Sequence, residues 1–181
     1  MDEGPVIWVT GLSGAGKTTL ASEIFSEIRS RDIFITMLDG DDLRHVLKKD
    51  SEVKENVTKN ARLDLAYTYA RLCNLLASQG GWVVISTVSL FREIHEWNRE
   101  NFLNYYEIYL KTPIDELKKR DPRGLYNDYD QGQMENLVGL DLKLDEPKTA
   151  DWIEEFNIDR KPHDVVASLI SEFEKKGWLS P

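Results

Sequence analysis

Short apolar runs alternate with amphipathic segments along this 181-residue chain. Four runs of five or six residues are rich in β-branched and aromatic side chains, which is typical of buried strands. These runs are Val6–Thr10, Phe34–Leu38, Trp82–Ser86 and Tyr105–Leu110, and a last short strand is predicted to begin at Ile158. Because helical segments separate the runs, the pattern predicts an α/β fold whose five-stranded, mainly parallel sheet carries helices on both faces.

The segments between the predicted strands repeat apolar residues at the spacing of amphipathic helices. In the longest of them, Leu65, Tyr69, Leu72 and Leu76 recur at intervals of three or four residues, and a Gly-Gly pair follows. Helices are predicted over Thr18–Arg31, Asp41–Leu47, Ala61–Ser78, Phe91–Asn101, Pro113–Arg120 and Pro162–Lys176.

Two stretches lack a clear apolar period. Residues 51–60 are charged, which favours a mobile loop or a surface helix. Residues 123–147 are rich in Gly, Asp and Asn, and such a length without regular elements is typical of a functional lid. We therefore expect a single domain over residues 1–181, with a lid at about residues 121–147.

The first predicted strand leads into Gly-Leu-Ser-Gly-Ala-Gly-Lys-Thr, and a helical pattern follows. A glycine-rich turn between a strand and a helix is the context in which this motif forms a phosphate-binding P-loop. Its backbone N–H groups surround a polyphosphate, Lys17 reaches the β- and γ-phosphates, and the Thr18 hydroxyl ligates Mg²⁺. The motif therefore predicts ATP binding by Gly11, Ser13, Gly14, Ala15, Gly16, Lys17, Thr18 and Thr19.

Two carboxylates, Asp39 and Asp41, follow the second predicted strand. In an open parallel sheet, ligands bind at the carboxyl ends of the strands. Carboxylates beside a P-loop suit magnesium coordination and activation of a hydroxyl nucleophile. We therefore predict Lys17, Asp39 and Asp41 as catalytic residues, with Thr18 and Asp39 at the metal. Asp-Gly-Asp is also typical of a turn that caps a helix.

Several arginines lie at the same predicted edge. Arg44 follows Asp41 within one helical turn, and Arg92 follows the third strand; either guanidinium would pair bidentately with a phosphate of a second substrate. Arg120 and Arg123 open the predicted lid and would fold over the transferred phosphoryl group. Each of these arginines could instead be a solvated surface residue. Ser89 is predicted to cap the helix that follows it.

Composition narrows the function further. A net charge of −9 argues against general binding of nucleic acid, and no apolar run reaches the ~20 residues that span a bilayer. The short acidic N-terminus does not match a signal peptide. Cys73 is the only cysteine and lies in an apolar helical pattern, so we expect it to be an inert core residue. These features favour the cytoplasm.

Together the motifs resemble those of the adenylylsulfate kinase family. The resemblance rests on the P-loop and on the segments Leu-Asp-Gly-Asp-Asp-Leu-Arg, Val-Ser-Leu-Phe-Arg and Arg-Asp-Pro-Arg-Gly-Leu-Tyr, which occur here in that order. It extends from Val6 to the C-terminus. It implies a P-loop NTPase-type three-layer sandwich and a kinase, usually dimeric, that phosphorylates the 3′-hydroxyl of adenosine 5′-phosphosulfate with MgATP.

The resemblance also implies roles for individual residues. Asp39 and Asp41 would lie at the metal and the reacting hydroxyl, and Ser89 matches a phosphoserine found in some members. Arg120 and Arg123 would complete the ATP site. The residues implied at the acceptor are Asp41, Arg44, Arg62, Val88, Ser89, Arg92 and Leu137.

The acceptor side departs from the family pattern. The Asn-Ile-Arg-Arg segment is replaced by residues 65–68, and Leu90 replaces a proline. Of two phenylalanines that sandwich the acceptor adenine in the family, one has no match here and the other is Leu137. Stacking contributes about 1–3 kcal/mol per base, a loss for which Tyr67 or Tyr69 would have to compensate.

Intact ATP-side motifs beside altered acceptor-side motifs favour a changed acceptor. Relatives in bacterial surface-polysaccharide pathways phosphorylate a cytidine diphosphoramidate, and residues 91–94 and 98–99 resemble that subgroup. The sequence therefore leaves adenosine 5′-phosphosulfate, the family default, and cytidine diphosphoramidate open as acceptors. A nucleoside monophosphate kinase and a non-catalytic nucleotide-binding module are further alternatives. We expect no nucleic-acid or membrane partner and a homodimer.

Overall fold

The computed structural model describes residues 3–47 and 58–180. The strands are β1 (Val6–Gly11), β2 (Ile35–Asp39), β3 (Trp82–Thr87), β4 (Tyr105–Lys111) and β5 (Trp152–Glu155). The helices are α1 (Lys17–Ser30), α2 (Gly40–Leu47), α3 (Lys59–Ala77), α4 (Arg92–Asn101), α5 (Ile114–Arg120), α6 (Leu125–Asp130) and α7 (Pro162–Lys175). Most of the loop or surface helix predicted at residues 51–60 lies outside the described residues.

All five strands are parallel, in the order β2-β3-β1-β4-β5. Helices cover both faces, with α1 packed on α7 and α3 packed on α4. The predicted three-layer α/β sandwich is confirmed. Because the strands are parallel, their carboxyl ends, and the loops that follow them, lie at one edge of the sheet.

The core lies on both sides of the central strands. Every residue of β1 and β3 is buried, as expected when helices cover both faces of a parallel sheet. A cluster of four aromatic rings packs α7 and the C-terminal residues against the sheet, with centroids of contacting rings 5.1–6.3 Å apart. The rings are those of Trp82 in β3, Tyr106 in β4, Phe173 in α7 and Trp178. Cys73 is buried in α3, which agrees with the expected core role, and burial raises the pKa of its thiol.

A buried polar network holds α4 on the sheet. Glu107 of β4 is fully buried, and its carboxylate lies 2.6 Å from His95 Nδ1 and 3.2 Å from the Tyr105 hydroxyl, which donates to it. Arg99 approaches the other carboxylate oxygen and forms an ion pair with Asp151 at 2.7 Å. A buried carboxylate is tolerated only when it is paired and hydrogen-bonded, so the contacts with His95, Tyr105 and Arg99 stabilise Glu107 and connect α4 to β4.

Two sequence predictions for the second half of the chain are wrong. The last strand is Trp152–Glu155, whereas Ile158 is 82% exposed and lies beyond it. β5 is a four-residue edge strand with the sequence Trp-Ile-Glu-Glu. Because it is short and half of its residues are charged, it lacks the apolar run that indicates a buried strand. The predicted lid contains α6, which begins after Gly124 in the left-handed region (φ 71°). A helix of six residues is too short to produce a recognisable helical period in the sequence.

Ile85 of β3 tests the central core, because it is fully buried beside β1. Replacement by alanine is expected to lower the free energy of unfolding by about 2–5 kcal/mol, through lost burial and a cavity. The control, Leu103→Ala, removes a side chain that is 75% exposed and should change stability by less than about 0.5 kcal/mol. Urea unfolding measures both, and equal effects would contradict this description of the core.

Candidate active site

A cleft of about 480 Å³ lies at the carboxyl edge of the sheet. Three segments that are far apart in sequence form its walls: the P-loop after β1, the start of α2 after β2, and the end of β3. Arg120 and Arg123, at the start of the predicted lid, also line the cleft. The edge predicted from the sequence to bind ligands therefore forms one continuous cleft.

The P-loop backbone depends on glycine at its two ends. At Gly11, where φ is 152°, a Cβ atom would lie 2.8 Å from the carbonyl oxygen of Leu110. Gly16 is the N-cap of α1 and has a left-handed φ of 96°. Side chains at either position would strain the turn, so glycine lets the loop pass close to β4 and then enter the helix. The helix N-terminus faces the cleft and provides N–H donors for an anion.

Lys17 lies in the first turn of α1 with its ammonium turned toward the loop. Its Nζ donates a hydrogen bond to the carbonyl oxygen of Leu12 at 2.8 Å. Burial lowers the pKa of Lys17 to about 8, although the nearby carboxylates of Asp41 and Asp39 oppose that shift. At neutral pH the side chain therefore stays cationic, in a setting where a phosphate would replace the water it has lost.

Asp39 is held by three segments at once. Its Oδ2 accepts hydrogen bonds from the Thr18 hydroxyl at 2.8 Å and from the Ser86 hydroxyl, and its Oδ1 accepts one from the N–H of Asp41 at 2.8 Å. Burial acts to raise the pKa of Asp39, but hydrogen bonds from Ser86, Thr18 and the N–H groups of Asp41 and Asp42 lower it overall. Asp39 is thus a fixed anion, and it also forms the predicted turn and cap at the start of α2.

The neighbouring carboxylate, Asp41, forms ion pairs with two arginines. Arg123 Nη1 lies 2.6 Å from Asp41 Oδ2, and Arg123 Nη2 donates to the Ser13 hydroxyl at 2.9 Å. Arg44 Nη1 lies 3.4 Å from the other oxygen of Asp41. Arg123 therefore spans the cleft between the P-loop and the start of α2, which brings the predicted catalytic and lid residues together.

The second lid arginine also contacts the P-loop. Arg120 Nη1 approaches the carbonyl oxygen of Gly14 at 3.4 Å, and its guanidinium lies over the Phe156 ring at 4.9 Å from the centroid. Tyr126 of α6 donates its hydroxyl hydrogen to the carbonyl oxygen of Ser13 at 2.9 Å. These contacts connect the beginning of the lid to the phosphate-binding turn.

The predicted acceptor residues lie on the far side of Arg44. Arg62 Nη2 donates to the carbonyl oxygen of Asn136 at 3.1 Å, and burial, followed by repulsion from Arg44, lowers the pKa of Arg62. Val88 and Ser89 line a small cavity with these two arginines. Leu137 is buried in the lid, where its N–H donates to Asp141 at 2.7 Å. The structure thus brings Arg44, Arg62, Val88 and Ser89 together.

Arg92 lies elsewhere. It is exposed, lies 3.6 Å from Glu96 one turn along α4, and lines a different cavity between α4 and residues 142–149. The predicted helix cap at Ser89 is wrong, because α4 begins at Arg92 with Phe91 as its N-cap. The Ser89 hydroxyl instead hydrogen-bonds that of Thr87 at 2.9 Å, and the side chain is buried.

Neither tyrosine of α3 presents its ring to the cleft as a stacking surface. Tyr69 is 2% exposed, and its hydroxyl donates to the carbonyl oxygen of Gly40 at 2.8 Å. Tyr67 packs edge-to-face on Trp97, with centroids 6.1 Å apart. Tyr69 nevertheless lines the small cavity beside Arg44 and Arg62, whereas Tyr67 is turned toward α4.

Sequence reasoning missed a second cleft of about 290 Å³ on the other side of the P-loop. It is lined by Ala15 and Leu20 and by residues that follow β5, including Phe156 and Arg160. No motif identifies the lining residues that follow β5, because β5 itself was not predicted. The signal in the sequence was weak: an aromatic residue, Phe156, lies four residues before a cationic one, Arg160.

A family model for adenylylsulphate kinase matches residues 3–154, which include every strand except the end of β5. The chain belongs to the adenylylsulfate kinase family. It is therefore a phosphotransferase with a P-loop for its nucleotide, and the family predicted from the motifs is confirmed. No helix among residues 3–47 and 58–180 is long and apolar enough to cross a bilayer.

Relatives of this chain are named for kinases of two different acceptors. A cytidine diphosphoramidate kinase of Campylobacter jejuni is 36% identical over 143 residues, which cover 79% of this chain and 81% of that protein. A probable adenylyl-sulfate kinase of Archaeoglobus fulgidus is 33% identical, covering 82% and 93%. The Mycobacterium tuberculosis APS kinase, solved with AMPPNP and APS, superposes with a TM-score of 0.86 at 26% identity, covering 96% and 99%.

Removal of the Ser86 hydroxyl tests the protonation state of Asp39. The folded state lowers the pKa of Asp39 from an ordinary value of 3.8, so the stability it contributes is present above that value and is lost as pH falls through the folded pKa. Ser86→Ala raises the folded pKa. The midpoint of acid unfolding and the acid limb of the kcat profile should both move to higher pH.

The matched control is Ser22→Ala on the exposed face of α1. Acid unfolding is followed by circular dichroism and kcat by ADP formation. A Ser86→Ala profile that coincides with those of the wild type and of the control would show that Ser86 does not keep Asp39 ionised.

Proposed function

We propose that the protein transfers the γ-phosphoryl group of ATP to the ribose 3′-hydroxyl of a nucleotide-type acceptor. The observation that carries this proposal is the convergence of Lys17, Asp39, Asp41 and Arg123 on one cleft at the end of the sheet. Such a cleft contains a cationic cradle for the phosphates, a fixed anion beside the Thr18 hydroxyl, and a second carboxylate that faces the acceptor side. Phosphoryl transfer requires little beyond this positioning and charge stabilisation.

In this proposal the phosphates of ATP bind in the first cleft and the adenine base binds in the second. The P-loop N–H groups and Lys17 bind the β- and γ-phosphates, and the second cleft holds the base beside Phe156 and Arg120. Thr18 and Asp39 fit Mg²⁺, because a hydroxyl and an anionic carboxylate 2.8 Å apart are hard oxygen donors that leave room for phosphate ligands. When bound, Mg²⁺ neutralises charge on the β- and γ-phosphates.

The two aspartates receive different roles. Both oxygens of Asp39 already accept hydrogen bonds from the protein, which fits a metal ligand of fixed orientation. Among residues 3–47 and 58–180, the Asp41 carboxylate is held by the side chains of Arg44 and Arg123, and these can exchange a carboxylate for a phosphate. We assign Asp41 to orient and deprotonate the acceptor hydroxyl, while Arg123 moves to the transferred phosphoryl group as charge develops there.

Lys17→Met separates a kinase from a nucleotide-binding module. Methionine keeps the unbranched apolar stem of the side chain but removes the buried ammonium, so kcat should fall by about 10²-fold or more. Thermal stability should stay equal to that of the wild type or rise, because the folded state disfavours the charged lysine. ADP release with and without acceptor measures the first effect, and calorimetry the second.

Wild-type protein that binds ATP tightly but forms no acceptor-dependent ADP would identify a binding module instead. A nucleoside monophosphate kinase would form a new diphosphate rather than a phosphomonoester on ribose. Phosphorus NMR of the product distinguishes these two bonds.

We propose a cytidine diphosphoramidate-type compound as the acceptor. The Campylobacter relative supports this choice, at a higher identity than the adenylyl-sulfate kinase relative described above. The aliphatic Leu137, where the family has a stacking phenylalanine, supports it too, since a pyrimidine loses less than adenine when a stacking ring is replaced. Arg44 and Arg62 then bind the phosphate groups of the acceptor. Adenosine 5′-phosphosulfate is the second candidate, favoured by the overall similarity to the mycobacterial APS kinase.

The acceptor proposal is tested by kcat/KM for cytidine diphosphoramidate and for adenosine 5′-phosphosulfate at fixed MgATP. We expect a preference of about tenfold or more for the cytidine compound, since each lost ring removes about 1–3 kcal/mol of adenine stacking. Leu137→Phe restores an aromatic ring at the acceptor side and should narrow the preference. A preference for the adenylyl compound would overturn the proposal, and turnover of neither would refute this assignment of the acceptor pocket.

The homodimer and the cytoplasmic location implied by the sequence remain predictions.

A further inference from the structure

Tyr69 is a buried polar group whose role the proposed mechanism leaves open. It lies on α3, and its ring packs beneath the start of α2 with 2% of its surface exposed. Its hydroxyl donates a hydrogen bond to the carbonyl oxygen of Gly40 at 2.8 Å. Gly40 is the residue between Asp39 and Asp41, so this hydrogen bond acts on the peptide that separates the two carboxylates.

Tyr69 also lies close to a second group of the acceptor side. Arg44, one turn along α2, lines the same small cavity as Tyr69, and burial raises the pKa of Tyr69 to about 12. The phenol therefore keeps its proton throughout the neutral range. Its hydroxyl can therefore donate to the Gly40 carbonyl oxygen over that whole range.

The peptide at Gly40 has little freedom to move elsewhere. A Cβ atom at Gly40 would lie 3.0 Å from the Thr87 hydroxyl oxygen, so β3 confines the turn on one side. The Asp39 carboxylate, bonded to Thr18 and Ser86, fixes the preceding residue. Tyr69 supplies the corresponding contact from α3.

We infer that Tyr69 is a positioning residue for phosphoryl transfer, whose hydroxyl sets the orientation of Asp41 and Arg44 toward the acceptor. This inference rests on the proposed function, in which Asp41 activates the acceptor hydroxyl and Arg44 binds its phosphate. Tyr69 does not touch the reacting groups itself. Its effect passes through the Gly40 carbonyl and the Arg44 guanidinium.

The position of Tyr69 predicts a selective defect. The ATP-side groups, Lys17 and Thr18, are on α1 and have no contact with Tyr69 in the hydrogen bonds and ion pairs of the described residues. Loss of the hydroxyl should therefore affect kcat and the KM of the acceptor and leave the KM of ATP unchanged. A general loss of folding would change all of these parameters together.

Tyr69→Phe removes the hydroxyl and keeps the ring, and Tyr67→Phe is the matched control two residues earlier on the same helix. With MgATP and the preferred acceptor of the wild type, we expect kcat/KM for the acceptor to fall about tenfold or more in Tyr69→Phe, because small misplacements of reacting groups are costly. The KM of ATP should stay within twofold. Tyr67→Phe should match the wild type in every parameter.

Hydrogen exchange at the N–H groups of Asp41 and Asp42 gives a second readout that needs no turnover. Both groups donate to Asp39 in this turn, so their exchange should be faster in Tyr69→Phe than in the wild type or Tyr67→Phe. Wild-type kinetics in Tyr69→Phe, or an equal loss of ATP and acceptor parameters, would overturn the inference. If the wild type phosphorylates no nucleotide, the proposed function fails, and unchanged exchange would separately refute the positioning role.

Discussion

The carboxylate of Asp39 is the interaction on which the site depends. It accepts hydrogen bonds from Thr18 at the start of α1, from Ser86 near the end of β3, and from the backbone N–H of Asp41 in α2. These donors come together because β1, β2 and β3 are adjacent parallel strands that end at one edge. A single half-buried anion thus aligns the phosphate-binding helix, the acceptor-side turn and the sheet, and the hydrogen bonds keep it ionised.

The side chains around this anion are mainly cationic, although the protein as a whole is acidic. The chain carries a net charge of −9, yet Lys17, Arg44, Arg62 and Arg123 surround the cleft. Each of these cations is paired with a carboxylate or a carbonyl oxygen of the protein, among them Asp41 and the Leu12 carbonyl. Cations held in advance in this way stabilise developing negative charge with little reorganisation, which is how enzymes of phosphoryl transfer obtain most of their acceleration.

Most of the fold could be predicted from the sequence. Strands β1–β4 and all helices except α6 were predicted to within two residues at each end, because apolar runs or helical spacing mark the longer elements and turn residues such as Pro113 mark where short ones begin. The two errors, at β5 and α6, concern short elements at the edge of the domain, where little surface is buried and the hydrophobic pattern is weak. The candidate site was predicted unevenly: motifs indicated the P-loop, Asp39, Asp41 and the lid arginines, whereas Arg92 lies away from them.

By itself the sequence determined the fold class, the family and the identity of the phosphate-binding turn, since these follow from local spacing and periodicity. Only the tertiary structure decided which side chains act together. The roles of Ser86, Phe156 and Tyr69 depend on contacts between elements that are distant in sequence, such as the hydrogen bond from Tyr69 to Gly40. No local pattern encodes such contacts, because they arise from the order of strands in the sheet and from the packing of helices on it.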